Sequence, residues 1–170
     1  MRALGPGSVS SLLKVVLDVV FVALWAGLGV LLVLAFLALL IPDLELWSKL
    51  NEGGPRGPVL AAGLFAYGLY VGMVLFIVER VRRIFATLTA GDPFHPANVA
   101  RLRAIGFSLA ALELINYATN LVASWAFPDH IKSVRFPFNP TAWFAVLVVF
   151  VLAEVFREGA RLRREAELTI

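Results

Sequence analysis

The chain has 170 residues, of which 60% are hydrophobic and 16% are charged, and its formal net charge is +3. Soluble domains are roughly 45–50% apolar and about 25% charged, so this composition excludes an ordinary soluble protein. The chain contains no cysteine, which excludes disulfides, thiolate metal sites and cysteine nucleophiles. At this length we expect a single membrane domain that covers residues 1–170.

Four long apolar segments predict an all-α, polytopic membrane protein. The first, residues 19–41, is uncharged and long enough to span about 30 Å of hydrocarbon at about 1.5 Å per residue. We interpret it as an anchor and not as a removable leader. The predicted spans are residues 12–41, 58–80, 103–127 and 140–157. We expect a four-transmembrane-helix bundle whose second, third and fourth helices extend into the cytoplasm.

Glycine, proline and asparagine mark the predicted helix ends. Gly91 is typical of a helix C-cap, and Pro96 suits the first turn of the helix that follows. Asn139 and Pro140 form a similar start signal for the fourth span. Before the second span, the DLELWSKLN segment predicts a short amphipathic helix at the outer membrane surface, with Trp47 at headgroup depth.

Lysine and arginine are divided unequally between the two predicted sides of the membrane. One side holds eleven: Arg2 and Lys14, five arginines in a cytoplasmic elbow of residues 79–106, and four in a helical tail of residues 157–170. The other side holds four: Lys49, Arg56, Lys132 and Arg135. By the positive-inside rule we expect a multi-pass protein of the bacterial inner membrane, with both termini and the elbow in the cytoplasm.

Polar side chains form a stripe along the third span. Its central members, at spacings of three and four residues, are Glu113, Asn116, Tyr117 and Asn120. Glu113 lies ten residues beyond Arg103, about 15 Å deeper in the membrane, where a carboxyl group is costly. One reading is that the stripe joins helices by hydrogen bonds of about 0.6 kcal/mol each. The other is that it is a ligand, ion or proton site.

The basic elbow predicts a cytoplasmic platform. Its candidate residues are Arg80, Arg83, Pro93, Phe94, Asn98, Arg101 and Arg103. Such a surface could anchor the protein to anionic lipids of the bilayer, or it could dock a soluble partner. Direct nucleic-acid binding is not expected, because aromatic residues are not interleaved with the basic ones.

Two further patterns concern packing. Acidic and basic residues near the cytoplasmic boundary predict an ion-pair collar made of Asp18, Glu79, Glu154 and Arg157. Gly68 and Gly72 form a GxxxG pair, which allows close helix approach. We expect this pair to pack within the chain, with a homo-oligomer as the alternative.

Signatures of catalysis, metal binding and cofactor binding are missing. His95 and His130 lie on opposite predicted sides of the membrane, so they cannot share a metal. The chain has no Walker loop, no nucleophile elbow and no dinucleotide fingerprint. We therefore expect a protein that is not an enzyme and that has no cofactor, no metal and no catalytic residues.

The elbow GDPFHPANVARLRAIG and the ending AELTI resemble the YoaS-like family of small four-span bacterial inner-membrane proteins, a domain of unknown function. The matching positions are Gly91, Pro93, Phe94, Asn98, Arg101, Leu102, Arg103, Ile105, Gly106, Leu168, Thr169 and Ile170. The resemblance implies that a small helix-turn-helix regulator is often encoded nearby.

These observations lead to two function hypotheses. The first is a non-enzymatic regulatory or scaffold protein whose basic platform holds a soluble partner, such as a helix-turn-helix transcriptional regulator, at the membrane. The alternative is a small-ligand, lipid or ion/proton-coupled membrane protein that uses Glu113, Asn116 and Asn120.

Overall fold

A computed structural model of the chain describes residues 9–50, 56–126 and 138–168, and within these ranges the regular structure is entirely helical. The five helices are α1 (Val9–Leu40), α2 (Glu45–Leu50), α3 (Pro58–Thr89), α4 (Pro96–Ala126) and α5 (Pro140–Leu168). The predicted all-α class is confirmed. Predictions for Arg2, His130, Lys132, Arg135, Thr169 and Ile170 lie outside the described residues.

Four of these helices are long and apolar enough to cross a membrane. The candidate spans lie within Leu12–Leu40, Pro58–Thr89, Pro96–Val122 and Pro140–Ala166, and an 18-residue window in each has a mean hydropathy of 2.7, 2.1, 1.3 and 1.7, respectively. Each of these segments exceeds the roughly 20 residues that a bilayer core requires. The protein is therefore a multi-pass membrane protein. The window in α4 is the least apolar of the four, because it carries the polar residues of the predicted stripe.

The chain forms two compact units, and the boundary between them lies inside α3, between Glu79 and Arg80. The first unit contains α1, α2 and the apolar part of α3. The second contains the charged end of α3 together with α4 and α5.

In the first unit, Trp47 of α2 is buried. Its side chain is 2% exposed and packs in a cluster with Ala38 of α1 and Ala61 of α3. The indole Nε1–H donates a hydrogen bond of 2.8 Å to the backbone oxygen of Ile41. The predicted short helix is confirmed. Trp47 covers the turn between α1 and α2, a contact that its assignment to an amphipathic surface helix did not anticipate.

The two glycines of the GxxxG pair have different surroundings within the first unit. A Cβ atom built on Gly68 would lie 3.7 Å from Leu28 and 3.9 Å from Leu32, so Gly68 packs against α1. A Cβ atom built on Gly72 would meet nothing within 4 Å. Packing against α1 within the same chain therefore explains why a small residue is needed at Gly68.

In the second unit, α4 and α5 pack as an antiparallel hairpin. Gly106 lies against the ring of Phe150, where an added Cβ atom would approach within 3.0 Å. Phe107 contacts the same ring edge to face, with a centroid distance of 5.1 Å. The absence of a side chain at Gly106 therefore permits the close approach of the two helices.

Candidate functional site: the basic elbow

The charged end of α3 closes in a Schellman motif. The Gly91 N–H donates to the Leu88 oxygen at 3.1 Å, and the Asp92 N–H donates to the Thr87 oxygen at 3.0 Å. Gly91 has a φ of 80°, in the left-handed region that glycine adopts without steric cost. The predicted C-cap is therefore confirmed, and the chain reverses direction within a few residues.

The start of α4 is capped by a histidine. Pro96 is the first residue of α4, as predicted, and it has no N–H that would need a partner. The Nδ1 atom of His95 accepts a hydrogen bond of 3.1 Å from the Ala97 N–H. Histidine is not among the preferred N-cap residues, so the sequence pattern did not predict this role for His95.

Asn98 is the centre of the elbow. Its side chain is fully buried, with 0% exposure. Its Nδ2 donates to the Thr87 hydroxyl at 2.7 Å and to the Pro93 oxygen at 3.1 Å. Its Oδ1 accepts a hydrogen bond of 2.9 Å from Arg101. One amide therefore joins the end of α3, the turn and the start of α4.

Arg101 extends this network back to α3. The same guanidinium nitrogen that binds Asn98 also donates to the backbone oxygen of Arg83 at 3.0 Å. That carbonyl lies in the last turns of α3. A guanidinium held by two oxygens inside the elbow contributes to its structure, so Arg101 differs from the exposed arginines of the platform. We call the network formed by Thr87, Pro93, Asn98, Arg101 and the Arg83 carbonyl the elbow clasp.

The charged half of α5 packs against the elbow. The ring of Phe94 lies directly over Gly159, where an added Cβ atom would come within 2.5 Å of the ring. Phe94 also contacts Phe156, with a centroid distance of 5.7 Å. Beside these rings, Arg163 forms an ion pair with Asp92. The elbow is thus fixed to α5 by an aromatic contact and an ion pair.

The platform residues differ in exposure. Arg83 and Arg103 are exposed, whereas Arg80 and Arg101 are partly buried and Asn98 is fully buried. Arg103 lies 4.0 Å from Glu154 of α5, and both side chains are about half exposed. Such solvated pairs contribute little stability, so Arg103 keeps its value as a surface charge.

The residues of the predicted ion-pair collar are distributed over both units. Glu154 and Arg157 form an ion pair one turn apart on α5, and Arg103 approaches the same carboxylate. Asp18 and Glu79 belong to the first unit. Within the second unit, therefore, the collar is a local cluster around Glu154.

The polar stripe of α4 contains three different environments. Glu113 is 8% exposed, and its Oε1 has no hydrogen-bond partner among the described residues. Asn116 and Asn120 are exposed, and the Asn120 amide donates to the Asn116 backbone oxygen at 2.7 Å and to its Oδ1 at 3.1 Å. The Tyr117 hydroxyl accepts a hydrogen bond of 3.1 Å from the Trp143 indole of α5.

The hydrogen bonds of Tyr117 correspond to the first reading of the stripe, in which its polar side chains join helices. Tyr117 also accepts from the Asn139 N–H at 3.4 Å, at the start of α5. Asn139 itself caps α5, since its Oδ1 accepts from the Ala142 N–H at 3.3 Å. Tyr117 thus joins α4 to α5 by hydrogen bonds, whereas the amides of Asn116 and Asn120 bond along their own helix.

The described residues contain no group of three or more His, Cys, Asp or Glu side chains that could hold a metal ion. The polar groups brought together at the elbow are an amide, a hydroxyl, backbone carbonyls and guanidinium groups. This set is suited to hydrogen bonding and to the recognition of negative charge.

Four apolar helices, joined between α3 and α4 by a clasped basic elbow, define a multi-pass helical membrane protein. A family model described as "Protein of unknown function (DUF2975)" matches residues 19–170. The chain therefore belongs to this family, and the resemblance to a family of unknown function is confirmed. No curated protein and no solved structure matches the chain.

The elbow clasp predicts a large effect for Asn98→Ala. The substitution removes three hydrogen bonds and leaves buried polar groups without a partner, so we expect a loss of about 2 kcal/mol or more in the free energy of unfolding. The measurement is thermal unfolding of the detergent-purified protein, followed by tryptophan fluorescence. Asn120→Ala is the matched control, because its amide is exposed and bonded within α4. Equal shifts in the two variants would contradict the structural role of Asn98.

Proposed function

We propose that the protein is a non-enzymatic membrane scaffold or regulator that holds a soluble partner at the cytoplasmic face of the bacterial inner membrane. The binding surface is the platform, formed by the elbow and by the part of α5 beyond Arg157. The observation that carries this proposal is the double attachment of the elbow, to α3 through the clasp and to α5 through Phe94 and Asp92.

Rigidity favours this function because a preformed surface loses little conformational freedom when a partner binds. An elbow that served only as a connection between two spans would not need a fully buried asparagine with three hydrogen bonds. It also would not need an ion pair between residues 71 positions apart in the chain. The network therefore supports the proposal that the elbow is a preformed surface for binding a partner.

The exposed groups of the platform match the composition of protein interfaces, in which apolar residues are surrounded by polar ones. On α5, Leu162 is 55% exposed and Leu168 is 87% exposed, and both lie among charged residues. Phe94 of the elbow is 37% exposed. The exposed guanidinium groups of Arg83 and Arg103 supply positive charge, which requires an acidic partner surface.

The family resemblance implies that a small helix-turn-helix regulator is often encoded nearby, and such a regulator is the partner of this proposal. The DNA-contacting surface of such a protein is basic and would be repelled by the platform arginines. The platform would therefore bind an acidic face of the regulator. Retention at the membrane would lower the amount of regulator that is available to DNA.

Orientation is part of this proposal. The eleven basic residues on the elbow side against four on the other side support a cytoplasmic elbow and cytoplasmic termini. An elbow on the outer side would not meet a cytoplasmic regulator.

A second candidate function rests on Glu113. Its carboxyl group is buried near the middle of a spanning helix, and Oε1 has no partner among the described residues. Ionisable residues at such depth are expensive and are often proton-transfer groups. This observation favours proton binding at Glu113 over a site shared with Asn116 and Asn120, which are exposed and bonded to each other.

The orientation predicts a labelling pattern for single cysteines, which is direct to test because the chain has none. Ala90→Cys places a thiol at the exposed elbow, and Thr141→Cys places one at the exposed start of α5. In right-side-out spheroplasts, a membrane-impermeant maleimide should label Thr141→Cys and should label Ala90→Cys only after permeabilisation. The opposite pattern would exclude a cytoplasmic platform.

The docking proposal predicts that Arg83→Glu combined with Arg103→Glu weakens retention of a co-expressed helix-turn-helix regulator, of the kind that the family resemblance implies is often encoded nearby. Reversal of two surface charges should reduce its co-purification with the membrane protein by roughly tenfold or more. The clasp uses the backbone oxygen of Arg83, not its side chain, so the two substitutions leave the hydrogen bonds of the clasp in place. The control is Arg56→Glu, which reverses an exposed charge in the first unit. Undiminished capture by the double variant, or no capture by the unaltered protein, would refute the proposal.

The second candidate predicts a proton leak that depends on Glu113. Vesicles containing the purified protein and a pH-sensitive dye should acidify when a potassium diffusion potential is imposed, and Glu113→Gln should abolish the signal while its unfolding temperature stays within about 2 °C of the unaltered protein. Asn116→Ala should retain the signal. Equal signals with glutamate and glutamine, or unfolding of the glutamine variant, would support a purely structural role.

A further inference from the structure

We propose that a cleft between the elbow and α5 binds an anionic phosphate group, as carried by phospholipid headgroups and by free phosphate. The cleft has a volume of about 240 Å³ and lies entirely within the second unit. Its walls are the elbow residues 92 and 94–96 on one side and Ala160, Arg163 and Arg164 on the other. The cleft lies on the platform, but its proposed ligand is Arg164 and not Arg83 or Arg103, so phosphate binding and partner docking are tested by different variants.

Arg164 is the main ligand of the proposed site. Among the described residues it forms no ion pair, in contrast to its neighbours on α5. Arg157 is paired with Glu154, Arg161 with Glu158 and Glu165, and Arg163 with Asp92. A guanidinium group presents parallel N–H donors that match two oxygens of one phosphate. Arg164 is therefore the cation in the cleft that is available to an external anion.

Arg163 and Asp92 shape the electrostatics of the cleft. Because the two groups are paired, the Asp92 carboxylate is compensated, and it does not cancel the charge of Arg164. The cleft thus retains a net positive charge. The Phe94 ring packed over Gly159 holds α5 against the elbow, so the separation between the two walls is set before any ligand binds.

His95 supplies a second donor. Its Nδ1 accepts the Ala97 N–H, so the ring hydrogen resides on Nε2, which remains a donor for a ligand in the cleft. The first turn of α4 offers little else, since Pro96 lacks an N–H and the Asn98 N–H is bonded to the His95 oxygen at 2.9 Å. The side chains of Arg164 and His95, and not the helix end, would therefore hold the anion.

The size of the cleft limits the ligand. Pockets for drug-sized molecules measure roughly 300–1,000 Å³, so a cleft of about 240 Å³ suits a phosphate or a simple headgroup better than a nucleotide. The wall is preformed, because Phe94 lies over Gly159 with no room for a side chain at residue 159.

The position of the cleft along α5 is compatible with a lipid source. Arg164 lies seven residues beyond Arg157, where the predicted span ends, which corresponds to about 10 Å along the helix. The polar layer of a bilayer extends roughly 5–8 Å beyond the hydrocarbon on each side. A flexible arginine side chain can bridge the remaining distance to a headgroup phosphate.

The test is a binding titration on the detergent-solubilised full chain, read as a rise in the unfolding temperature with ligand concentration. The probes are inorganic phosphate at constant ionic strength and dihexanoyl-phosphatidylglycerol, each compared with sodium chloride. Stabilisation by the lipid alone identifies a headgroup as the source, and stabilisation by inorganic phosphate alone identifies free phosphate. Stabilisation by both supports the shared chemistry, and stabilisation by neither overturns the inference.

Two variants locate the site. Arg164→Gln should weaken binding of the effective probe by roughly tenfold or more, as expected for the loss of a charge-assisted hydrogen bond. It should not impair folding, because Arg164 is exposed and forms no ion pair among the described residues. Arg161→Gln removes the same charge from the same helix but at a residue outside the cleft, and it should leave the affinity within about twofold. Equal losses in the two variants would show a diffuse charge effect and would overturn the site.

Discussion

The buried amide of Asn98 is the interaction on which the second unit depends. It is fully removed from solvent, and it satisfies a hydroxyl, a backbone carbonyl and a guanidinium group at once. Buried polar groups are costly unless each has a partner, so a fully bonded amide selects one arrangement of the chain over its alternatives. The reversal between α3 and α4 is therefore a defined structure, onto which α5 then packs.

This constraint divides the arginines of the elbow into two groups. Arg101 is committed to the clasp, where it binds the Arg83 carbonyl and Asn98. Arg83 and Arg103 are exposed residues. A basic segment can thus have a structural core and a basic surface at once. A charge reversal at Arg101 would disrupt the clasp and remove positive charge together, so it could not distinguish the two effects. The docking proposal therefore concerns Arg83 and Arg103 and not Arg101.

A similar division applies inside the membrane. The stripe of α4 resembles one polar face in sequence, yet Glu113 is buried, Tyr117 bonds to α5, and the two asparagines bond to each other along α4. Helical spacing groups residues by direction, but the neighbouring helix determines which of them are covered. The unpartnered oxygen of Glu113 consequently stands apart as the functional candidate of the stripe.

The sequence by itself determined the membrane class, the four apolar helices and most helix ends. Hydropathy and length decide whether a helix can span a bilayer, and the end signals at Gly91, Pro96 and Asn139 act through their own backbone or the nearest N–H groups. Such properties are local, so they can be read without knowledge of the fold. The orientation of the protein in the membrane and its binding partners are not local properties of the chain, so for them the sequence provides hypotheses.

Only the tertiary structure decided which charged and polar groups meet. The contact of Asp92 with Arg163 joins distant parts of the chain, and the small size of Gly159 has meaning only because Phe94 lies over it. Likewise, nothing in the local spacing distinguishes the clasped Arg101 from the exposed Arg103. These contacts depend on which face of each helix meets its neighbours. The sequence pattern is compatible with several such arrangements, and long-range packing selects one of them.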